Sequence, residues 1–351
     1  MDTLLNLLNE NDYSIECELS SGAHGTCYLV RKNNIGYILK NYECDAEKES
    51  LHEADVYREL HGNGKGNEYF FKAEHKKMGN RHFLLSETYE GVTLEEYILT
   101  GKEKSFENIL DILLRTCRAI KEMHTMTPPY LHLDIKPSNL YVSLKENIVR
   151  PIDMGSAVRK TGRKTFADII NDMGYRSTDS YATMKVKVFN NLRDEYSEMD
   201  ALTEEQNELC LLEEKIGVAD DIYSLLCCFF FMLTKKKFKF WIDESFSYSD
   251  IDEIESALKR NNVPSYLIDR LSKLFMCLIA PYTDEEAEVP YKSIDDFINE
   301  LDTIKLICSD EGFHHEIIDK NFINYFNKNL LKFIDEENGF DSNLIADLEK
   351  A

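Results

Sequence analysis

The spacing of apolar residues changes near residue 91, and this change constrains the fold of the chain more than any other feature of its sequence. From Tyr13 to Tyr42, apolar and polar residues alternate in the runs "YSIECELS", "GTCYLVRK" and "GYILKNYE", which turn residues separate. Such alternation predicts three antiparallel strands. Beyond Gly91 the apolar spacing becomes helical, as in "SFENILDILLRTCRAIKEMHTM". The sequence therefore predicts an α+β chain, with a small β-rich lobe followed by a larger helical lobe.

Two further elements complete the predicted β-rich lobe. The run "YFFKAEHKKMGNRHFLLSETY" predicts a hairpin that turns at Gly79-Asn80. Between the meander and this hairpin, "DAEKESLHEADVYREL" has helical spacing. Its apolar face would consist of Leu51, Ala54, Tyr57 or Val56, and Leu60.

Charge and cysteine content narrow the classes of function. The formal net charge is −23, so the chain should repel the phosphate backbone of nucleic acids. No run approaches the roughly 20 apolar residues that a membrane-spanning helix needs. Nine cysteines are scattered without CxxC pairs or metal-ligand spacing, which favours a reducing compartment such as the cytoplasm. We therefore expect a cytoplasmic protein with no nucleic-acid partner and no membrane span.

Polar residues interrupt apolar runs in the middle of the chain. Asp134, Lys136 and Asn139 lie within "YLHLDIKPSNLYV", and Asp153 follows the strand-like run "NIVRPI". Carboxylate and amide oxygens are ligands that Mg²⁺ prefers, and a lysine beside them suits a phosphate group. Each residue alone also fits an ordinary turn or helix cap.

The order of these residues resembles that of the protein kinases. "HLDIKPSN" resembles the kinase catalytic loop, and "DMG" resembles the metal-binding Asp-Phe-Gly motif. The resemblance implies a bilobal protein-kinase-like fold that uses ATP and Mg²⁺. Asp134 would accept the proton of the substrate hydroxyl, Lys136 would neutralise the migrating phosphoryl group, and Asn139 and Asp153 would hold the metal ions. The residues that would support this site structurally are His132, Gly155 and Asp221.

The same resemblance places the nucleotide site in the β-rich lobe. "LSSGAHGTC" resembles the glycine-rich phosphate loop, and "FLLSETYEG" resembles the hinge that binds adenine. Lys40 matches the lysine that binds the nucleotide phosphates, and Glu53 matches its partner on a helix. By this resemblance the ATP site would be lined by Leu19, Ser20, Ser21, Gly22, Ala23, His24, Gly25, Thr26, Cys27, Ile38, Lys40, Ser86, Glu87 and Tyr89.

Departures from the family pattern bear on regulation and substrate docking. Leu133 replaces the arginine that pairs with an activation-segment phosphate in kinases that need this modification, which implies an enzyme that does not need it. Thr161 and Thr165, in a basic run, remain candidate phosphorylation sites. Ser177-Thr178-Asp179 stands where Ala-Pro-Glu is usual, so we expect an unusual substrate-docking surface there.

The resemblance covers roughly residues 13–305 and implies a division of the chain into two lobes with an extension at each end. Residues 1–12 would form an N-terminal extension, 13–90 the N-lobe and 91–305 the C-lobe. The polar stretch 180–218 diverges from the family pattern, and 306–351 would form a helical C-terminal extension.

Three functions from different classes fit the sequence. The first is an active protein kinase that transfers the γ-phosphoryl group of ATP to Ser or Thr hydroxyls of a protein substrate. The second is a pseudokinase or scaffold that binds partners, which the residues Ser20 and Ile38 and the altered segment end would allow. The third is a small-molecule kinase of the same fold, against which the lysine of "DIKPSN" argues. The sequence leaves open whether an activator protein regulates the chain.

Overall fold

The computed structural model describes most of the N-terminal half of the chain and parts of the remainder. The described residues are 2–22, 25–42, 46–88, 90–100, 104–160, 217–236, 248–263, 265–276, 291 and 293–309. The chain divides into one compact unit, Met1–Asp302, and a second, Thr303–Ala351. The described part of the second unit, 303–309, is the end of a helix.

Nine helices lie within the described residues. They are α1 (Asp2–Glu10), α2 (Glu47–His61), α3 (Gly66–Tyr69), α4 (Leu94–Leu99), α5 (Phe106–His124), α6 (Val218–Thr234), α7 (Tyr248–Arg260), α8 (Ser265–Met276) and α9 (Ile294–Ser309). None of these helices is both long and apolar enough to cross a membrane.

Ten strands form three antiparallel sheets within the same residues. The first sheet has the order β1 (Ser14–Gly22), β2 (Gly25–Lys32), β3 (Ile35–Asn41), β5 (Arg81–Glu87), β4 (Ala73–Met78). The second has the order β6 (Val92–Thr93), β8 (Leu140–Ser143), β9 (Ile148–Pro151), and the third pairs β10 (Val158–Arg159) with β7 (Tyr130–Leu131). The predicted meander and hairpin are therefore present, and the predicted α+β order of a β-rich part before a helical part is confirmed.

The two faces of the five-stranded sheet carry different side chains. Because side chains alternate along a strand, neighbouring residues of β3 point to opposite faces. Leu39 lies in a core cluster with Leu4 and Leu8 of α1, and with Phe83 of β5. Lys40 therefore points to the opposite face. Helix α1, which lies in the predicted N-terminal extension, supplies part of the core of this lobe.

Helix α2 buries a face that differs in part from the predicted one. Leu51 is 40% exposed, so its prediction as a buried residue was wrong. The buried residues are instead Ser50, Glu53, Ala54, Val56, Tyr57 and Leu60. The buried face also includes Glu53, whose carboxylate forms an ion pair with Lys40, and Leu51 lies outside this face.

The helical part is built on two long helices with contrasting sequences. Helix α5 begins after Ser105, whose hydroxyl accepts a hydrogen bond from the backbone N–H of Asn108, as helix N-caps do. Helix α6 is apolar on nearly all sides and almost wholly buried, as a central core helix requires. Phe106 of α5 and Phe229 of α6 pack with ring centroids 6.4 Å apart. These helices form the base on which the loop after β7 rests.

Candidate active site

A lysine on the sheet binds carboxylates from two distant parts of the chain. Lys40 Nζ on β3 lies 2.7 Å from Glu53 Oε2 on α2 and 2.7 Å from Asp153 Oδ1, which follows β9. Lys40 is 8% exposed and Glu53 1% exposed. We call Lys40, Glu53 and Asp153 the ion cluster. It joins the sheet, α2 and the chain after β9 at one point.

The charge of Lys40 is maintained by its two partners. Burial alone would lower the pKa of Lys40, but the carboxylates of Asp153 and Glu53 outweigh burial and raise this pKa above its ordinary value. Lys40 is therefore positively charged at neutral pH.

Two tyrosines contact the ion cluster, and the sequence analysis assigned neither to the site. The hydroxyl of Tyr42 donates a hydrogen bond to Glu53 Oε2. The backbone N–H of Asp153 donates to the hydroxyl of Tyr57 at 3.1 Å. The sequence feature that could have indicated them is a tyrosine at a predicted buried position, because a buried tyrosine hydroxyl usually needs a hydrogen-bond partner.

The loop after β7 holds one oxygen of Asp134 and leaves the other unbonded. Asp134 Oδ2 accepts a 2.8 Å hydrogen bond from Asn139 Nδ2 and lies 3.1 Å from Lys136 Nζ. Asn139 Nδ2 also donates to the backbone carbonyl of Asp134 at 2.9 Å. Asp134 Oδ1 is buried and has no hydrogen-bond partner among the described residues. The carboxylate is thus fixed in orientation while one oxygen can accept a proton or a hydrogen bond.

The environment of Asp134 also increases its basicity. Burial raises the pKa of this carboxyl above its ordinary value, and the nearby charge of Lys136 opposes the rise. A carboxylate with a raised pKa accepts a proton more readily in a transition state.

Asp221 on α6 supports the backbone of this loop from below. Its two carboxylate oxygens accept hydrogen bonds from the backbone N–H groups of His132 at 2.9 Å and Leu133 at 3.0 Å. His124, at the end of α5, places Nε2 2.8 Å from Asp221 Oδ2. Burial alone would raise the pKa of Asp221, but the hydrogen bond with His124 and the neighbouring donors lower it. Asp221 is therefore ionised at neutral pH, and α5 and α6 together orient the loop.

Asp153 occupies a turn with an unusual backbone. Its φ of 62° lies in the left-handed region, which costs a non-glycine residue about 1 kcal/mol. A short 3-10 turn, Met154–Ser156, follows, with Gly155 buried inside it. This geometry directs the Asp153 side chain towards Lys40 while its N–H binds Tyr57.

The phosphate-loop candidates lie at the β1–β2 turn. Gly22 pairs with Gly25, and Ser20 pairs with Cys27. Gly25 has a φ of +116°, and a Cβ there would lie 2.1 Å from the carbonyl oxygen of Asn41, so only glycine fits this close approach. Leu19, Ser20 and Ser21 are exposed, and the Ser21 hydroxyl lies 3.1 Å from that of Thr26.

The remaining nucleotide-site candidates share neighbouring strands. Cys27 is directly opposite Lys40 across β2 and β3, and Ile38 is opposite Ser86 across β3 and β5. Glu87 is exposed at the end of β5. The structure thus places the described phosphate-loop, lysine and hinge candidates on one sheet, and their role in binding ATP stays a prediction.

Comparison with known protein families decides the classification. A model of the protein kinase domain matches residues 13–187, about half of the chain. The chain belongs to the protein kinase superfamily. The matched region contains the ion cluster and the loop of Asp134, and it confirms the predicted bilobal kinase fold. Asp221 lies beyond the matched residues, on the helix that supports the loop.

One curated relative of this kinase-family chain is a probable serine/threonine-protein kinase of Dictyostelium discoideum. The two sequences are 28% identical over 41% of this chain and 42% of the relative. The chain therefore matches less than half of the length of this relative.

The residues of the kinase fold fit a magnesium ion bound together with phosphate. Among the described residues, no three or more His, Cys, Asp or Glu side chains form a metal-binding group. Mg²⁺ is usually held by one or two protein carboxylates, with phosphates and water filling the remaining positions. Asp153 and the amide oxygen of Asn139 are hard oxygen ligands of that kind, so they would hold the ion, and their roles stay predictions.

Several predicted site residues lie outside the described residues. These are Ala23, His24, Tyr89, Thr161 and Thr165, together with the polar stretch up to residue 216. Most of the predicted C-terminal extension, from residue 310 onward, also lies outside them.

Proposed function

We propose that the chain is an ATP-dependent protein kinase that phosphorylates Ser or Thr hydroxyl groups in the presence of Mg²⁺. The observation that carries the proposal is the buried Oδ1 of Asp134, which has no hydrogen-bond partner among the described residues although Asn139 and Lys136 hold the other oxygen. A purely structural carboxylate would be expected to have both oxygens satisfied. This one is oriented to receive a substrate hydroxyl.

The reaction follows from the charges of the site. The oxygen of the acceptor hydroxyl forms a bond to the γ-phosphorus of ATP while the bond from that phosphorus to the bridging oxygen breaks, and ADP leaves with the electron pair. Asp134 Oδ1 takes the hydroxyl proton. Lys136 and Lys40 stabilise negative charge on the transferred and the remaining phosphates. The bound Mg²⁺ would supply further neutralisation of the phosphate oxygens.

The preference for Ser and Thr rests on two observations. Lys136, two residues after Asp134, resembles the lysine of serine/threonine kinases, and its ammonium group lies beside the Asp134 carboxylate. The relative from Dictyostelium bears the name of a probable serine/threonine kinase. Both favour a hydroxyl acceptor on an aliphatic side chain.

We further propose that activity does not require phosphorylation of the activation segment. Leu133, in place of the usual arginine, is buried and offers no charge to a phosphate. The start of the segment is instead held by Glu59 of α2, which accepts hydrogen bonds from Arg159 at 2.5 Å and from Tyr130 at 2.6 Å. This connection joins α2 to the segment without a phosphate group.

The test is transfer of label from γ-labelled ATP to protein substrates in the presence of Mg²⁺. Wild type is compared with Asp134→Asn and with the control Asp55→Asn, which alters an exposed carboxylate of α2. We expect label with wild type and the control, and loss of label with Asp134→Asn. Binding of Mg-ATP without any transfer would contradict the proposal and favour a scaffold. Labelling of metabolites but not of proteins would favour a small-molecule kinase.

A further inference from the structure

Two buried tyrosines form hydrogen bonds with the ion cluster through their hydroxyl groups. Tyr42 follows Asn41, the last residue of β3, two positions after Lys40, and Tyr57 lies one helical turn after Glu53 on α2. Each of the two residues is 4% exposed. Burial raises the pKa of both phenols well above its ordinary value, and the charge of Glu53 adds to the rise. Both hydroxyls therefore keep their protons at neutral pH.

Tyr42 fixes the position of the Glu53 carboxylate. Its hydroxyl donates to the same oxygen, Oε2, that binds Lys40. The Nζ of Lys40 also lies 5.1 Å from the centre of the Tyr42 ring, within the range of a cation–π contact. Tyr42 thus contacts both members of the pair that joins β3 to α2, and its hydroxyl contact is a hydrogen bond to a charged group, which is among the stronger kinds.

Tyr57 fixes the backbone of Asp153. The Asp153 N–H donates to the Tyr57 hydroxyl at 3.1 Å, and Asp153 is in the left-handed conformation. This conformation is unfavourable for a residue with a side chain and persists where the surroundings hold it. Tyr57, on α2, is placed to hold it. The carboxylate that the hydrogen bond orients is the one that contacts Lys40.

The two hydrogen bonds complete a closed arrangement of groups. Lys40 binds Glu53 and Asp153, Tyr42 binds Glu53, and Tyr57 links α2 to the backbone of Asp153. A shift of α2 would disturb the contacts at both carboxylates. Removal of the hydroxyl oxygen would leave either ring in place. In Tyr42 it would remove a hydrogen bond to the Glu53 carboxylate, and in Tyr57 it would remove the hydrogen bond from the backbone N–H of Asp153.

We propose that Tyr42 and Tyr57 are positioning residues for phosphotransfer, and that their hydroxyl groups set the placement of Glu53 and Asp153 for the metal–nucleotide complex. The proposal rests on the proposed function of the same site. It assigns the effect to the hydroxyl oxygens and not to the aromatic rings. If the tyrosines served only to fill the core, phenylalanine would replace them without functional loss.

The variants that test the proposal are Tyr42→Phe and Tyr57→Phe, each made in the full chain. The matched control is Tyr13→Phe, since Tyr13 is 3% exposed in the same lobe and packs edge-on against Tyr37. For all variants we would measure kcat, KM for a protein substrate, the Mg²⁺ concentration at half-maximal rate, and hydrogen exchange of the peptide that contains the Asp153 amide.

Each variant has a distinct expected result. For Tyr57→Phe we expect faster exchange of the Asp153 amide and a several-fold higher Mg²⁺ requirement, because the orientation of the proposed ligand is less restricted. For Tyr42→Phe we expect kcat to fall about tenfold, the factor that corresponds to a lost hydrogen bond to a charged group. In both variants KM for the protein substrate stays unchanged. Tyr13→Phe should match wild type in every measurement.

The outcomes separate this proposal from the proposed function. Phenylalanine variants that match Tyr13→Phe in rate and Mg²⁺ requirement would overturn the positioning role, even if exchange at Asp153 rose. Unchanged exchange in Tyr57→Phe would overturn the Tyr57 contact itself. An inactive wild type that binds Mg-ATP would overturn the proposed function, and the positioning role with it, while exchange would still test the contact.

Discussion

The burial of Asp134 reduces the stability of the fold when its carboxylate is ionised. Its carboxylate is 2% exposed, and burial raises the pKa of this group above its ordinary value. The folded chain therefore binds the Asp134 proton more tightly than the unfolded chain does. Ionisation of Asp134 at neutral pH consequently reduces the free energy of unfolding.

We predict that Asp134→Asn abolishes phosphotransfer yet raises the melting temperature at neutral pH. The amide needs no desolvated charge, and it can still accept the hydrogen bond from Asn139. Because Asp134 becomes protonated as the pH falls, the gain in melting temperature should shrink towards pH values of about 4. Thermal unfolding of wild type and variant between neutral and acidic pH measures this. A variant that is less stable than wild type at neutral pH would contradict the account.

We predict that removal of Lys40 alone destabilises the fold, because its carboxylate partners then lose their cation. Lys40→Met leaves the Glu53 carboxylate, 1% exposed, without its cation, which should lower the free energy of unfolding by about 3 kcal/mol. In this background Glu53→Gln removes the isolated charge and should restore most of the loss. Denaturant unfolding of the single and double variants measures both effects.

The control for this pair is Lys145→Met, whose ion pair with Glu90 is exposed on both sides and should contribute little to stability. A double variant no more stable than Lys40→Met would show that the buried charge is not the cause.

At the residue scale, sequence reasoning reached groups with a fixed order along the chain. Lys40, Glu53 and Asp153 could be placed in one site because their order along the chain resembles that of the corresponding residues of protein kinases. Tyr42 and Tyr57 could not, because their contacts depend on the direction of a side chain across elements. Alternation and helical spacing do not encode that direction.

At the scale of elements, helix α1 packs against the five-stranded sheet and shares its core. Leu8 is fully buried, in a cluster with Val30, Leu39 and Phe83, whereas Leu5 of the same helix is 43% exposed. The helix thus covers the sheet face opposite the ion cluster and supports β3 from behind.

We predict that Leu8→Ala lowers the free energy of unfolding by about 3 kcal/mol, since it removes buried methyl groups and leaves a cavity. Leu5→Ala, on the exposed side of the same helix, should change it by less than about 0.5 kcal/mol. Chemical denaturation of the two variants measures the difference. Equal effects would contradict the assignment of α1 to the core.

Element prediction succeeded where the periodic pattern was long and failed where it was short. The alternation of residues 13–42 and the helical spacing of α5 extend over many residues, so type and order were clear. Helix α1 has nine residues, and its spacing was not recognised as an element that covers the sheet. On α2, Leu51 is exposed, and Glu53 is buried among apolar residues of the same helix, where it forms an ion pair with Lys40. Apolar spacing alone does not show that a buried face also holds a charged residue.

At the scale of the whole molecule, the connection between α2 and the activation segment bears on regulation. Tyr130 and Arg159 both donate hydrogen bonds to Glu59. The hydrogen bond from Tyr130 is the main reason why the pKa of Glu59 is lowered. Glu59 is therefore ionised at neutral pH, and its contribution to stability is lost only as the pH falls through this lowered value. This contact is formed by side chains that carry no modification.

We predict that the double variant Thr161→Ala/Thr165→Ala keeps the wild-type rate of phosphotransfer, because Leu133, which stands where kinases that need this modification have an arginine, offers no charge to a phosphate. Arg159→Ala should reduce the rate, since it breaks the contact with Glu59. Initial rates with phosphatase-treated enzyme measure both. A rate that falls in the threonine variant, or after phosphatase treatment of wild type, would contradict phosphorylation-independent activity.

The central claim is transfer of phosphate from ATP to a hydroxyl group under the control of Asp134. It is tested most directly by mass spectrometry of Ser, Thr and Tyr peptides incubated with the full chain, ATP and Mg²⁺, in parallel with Asp134→Asn. The account predicts phosphoserine or phosphothreonine with the wild-type chain and none with the variant. Equal phosphorylation by both proteins, or none by a wild-type chain that binds Mg-ATP, would contradict it.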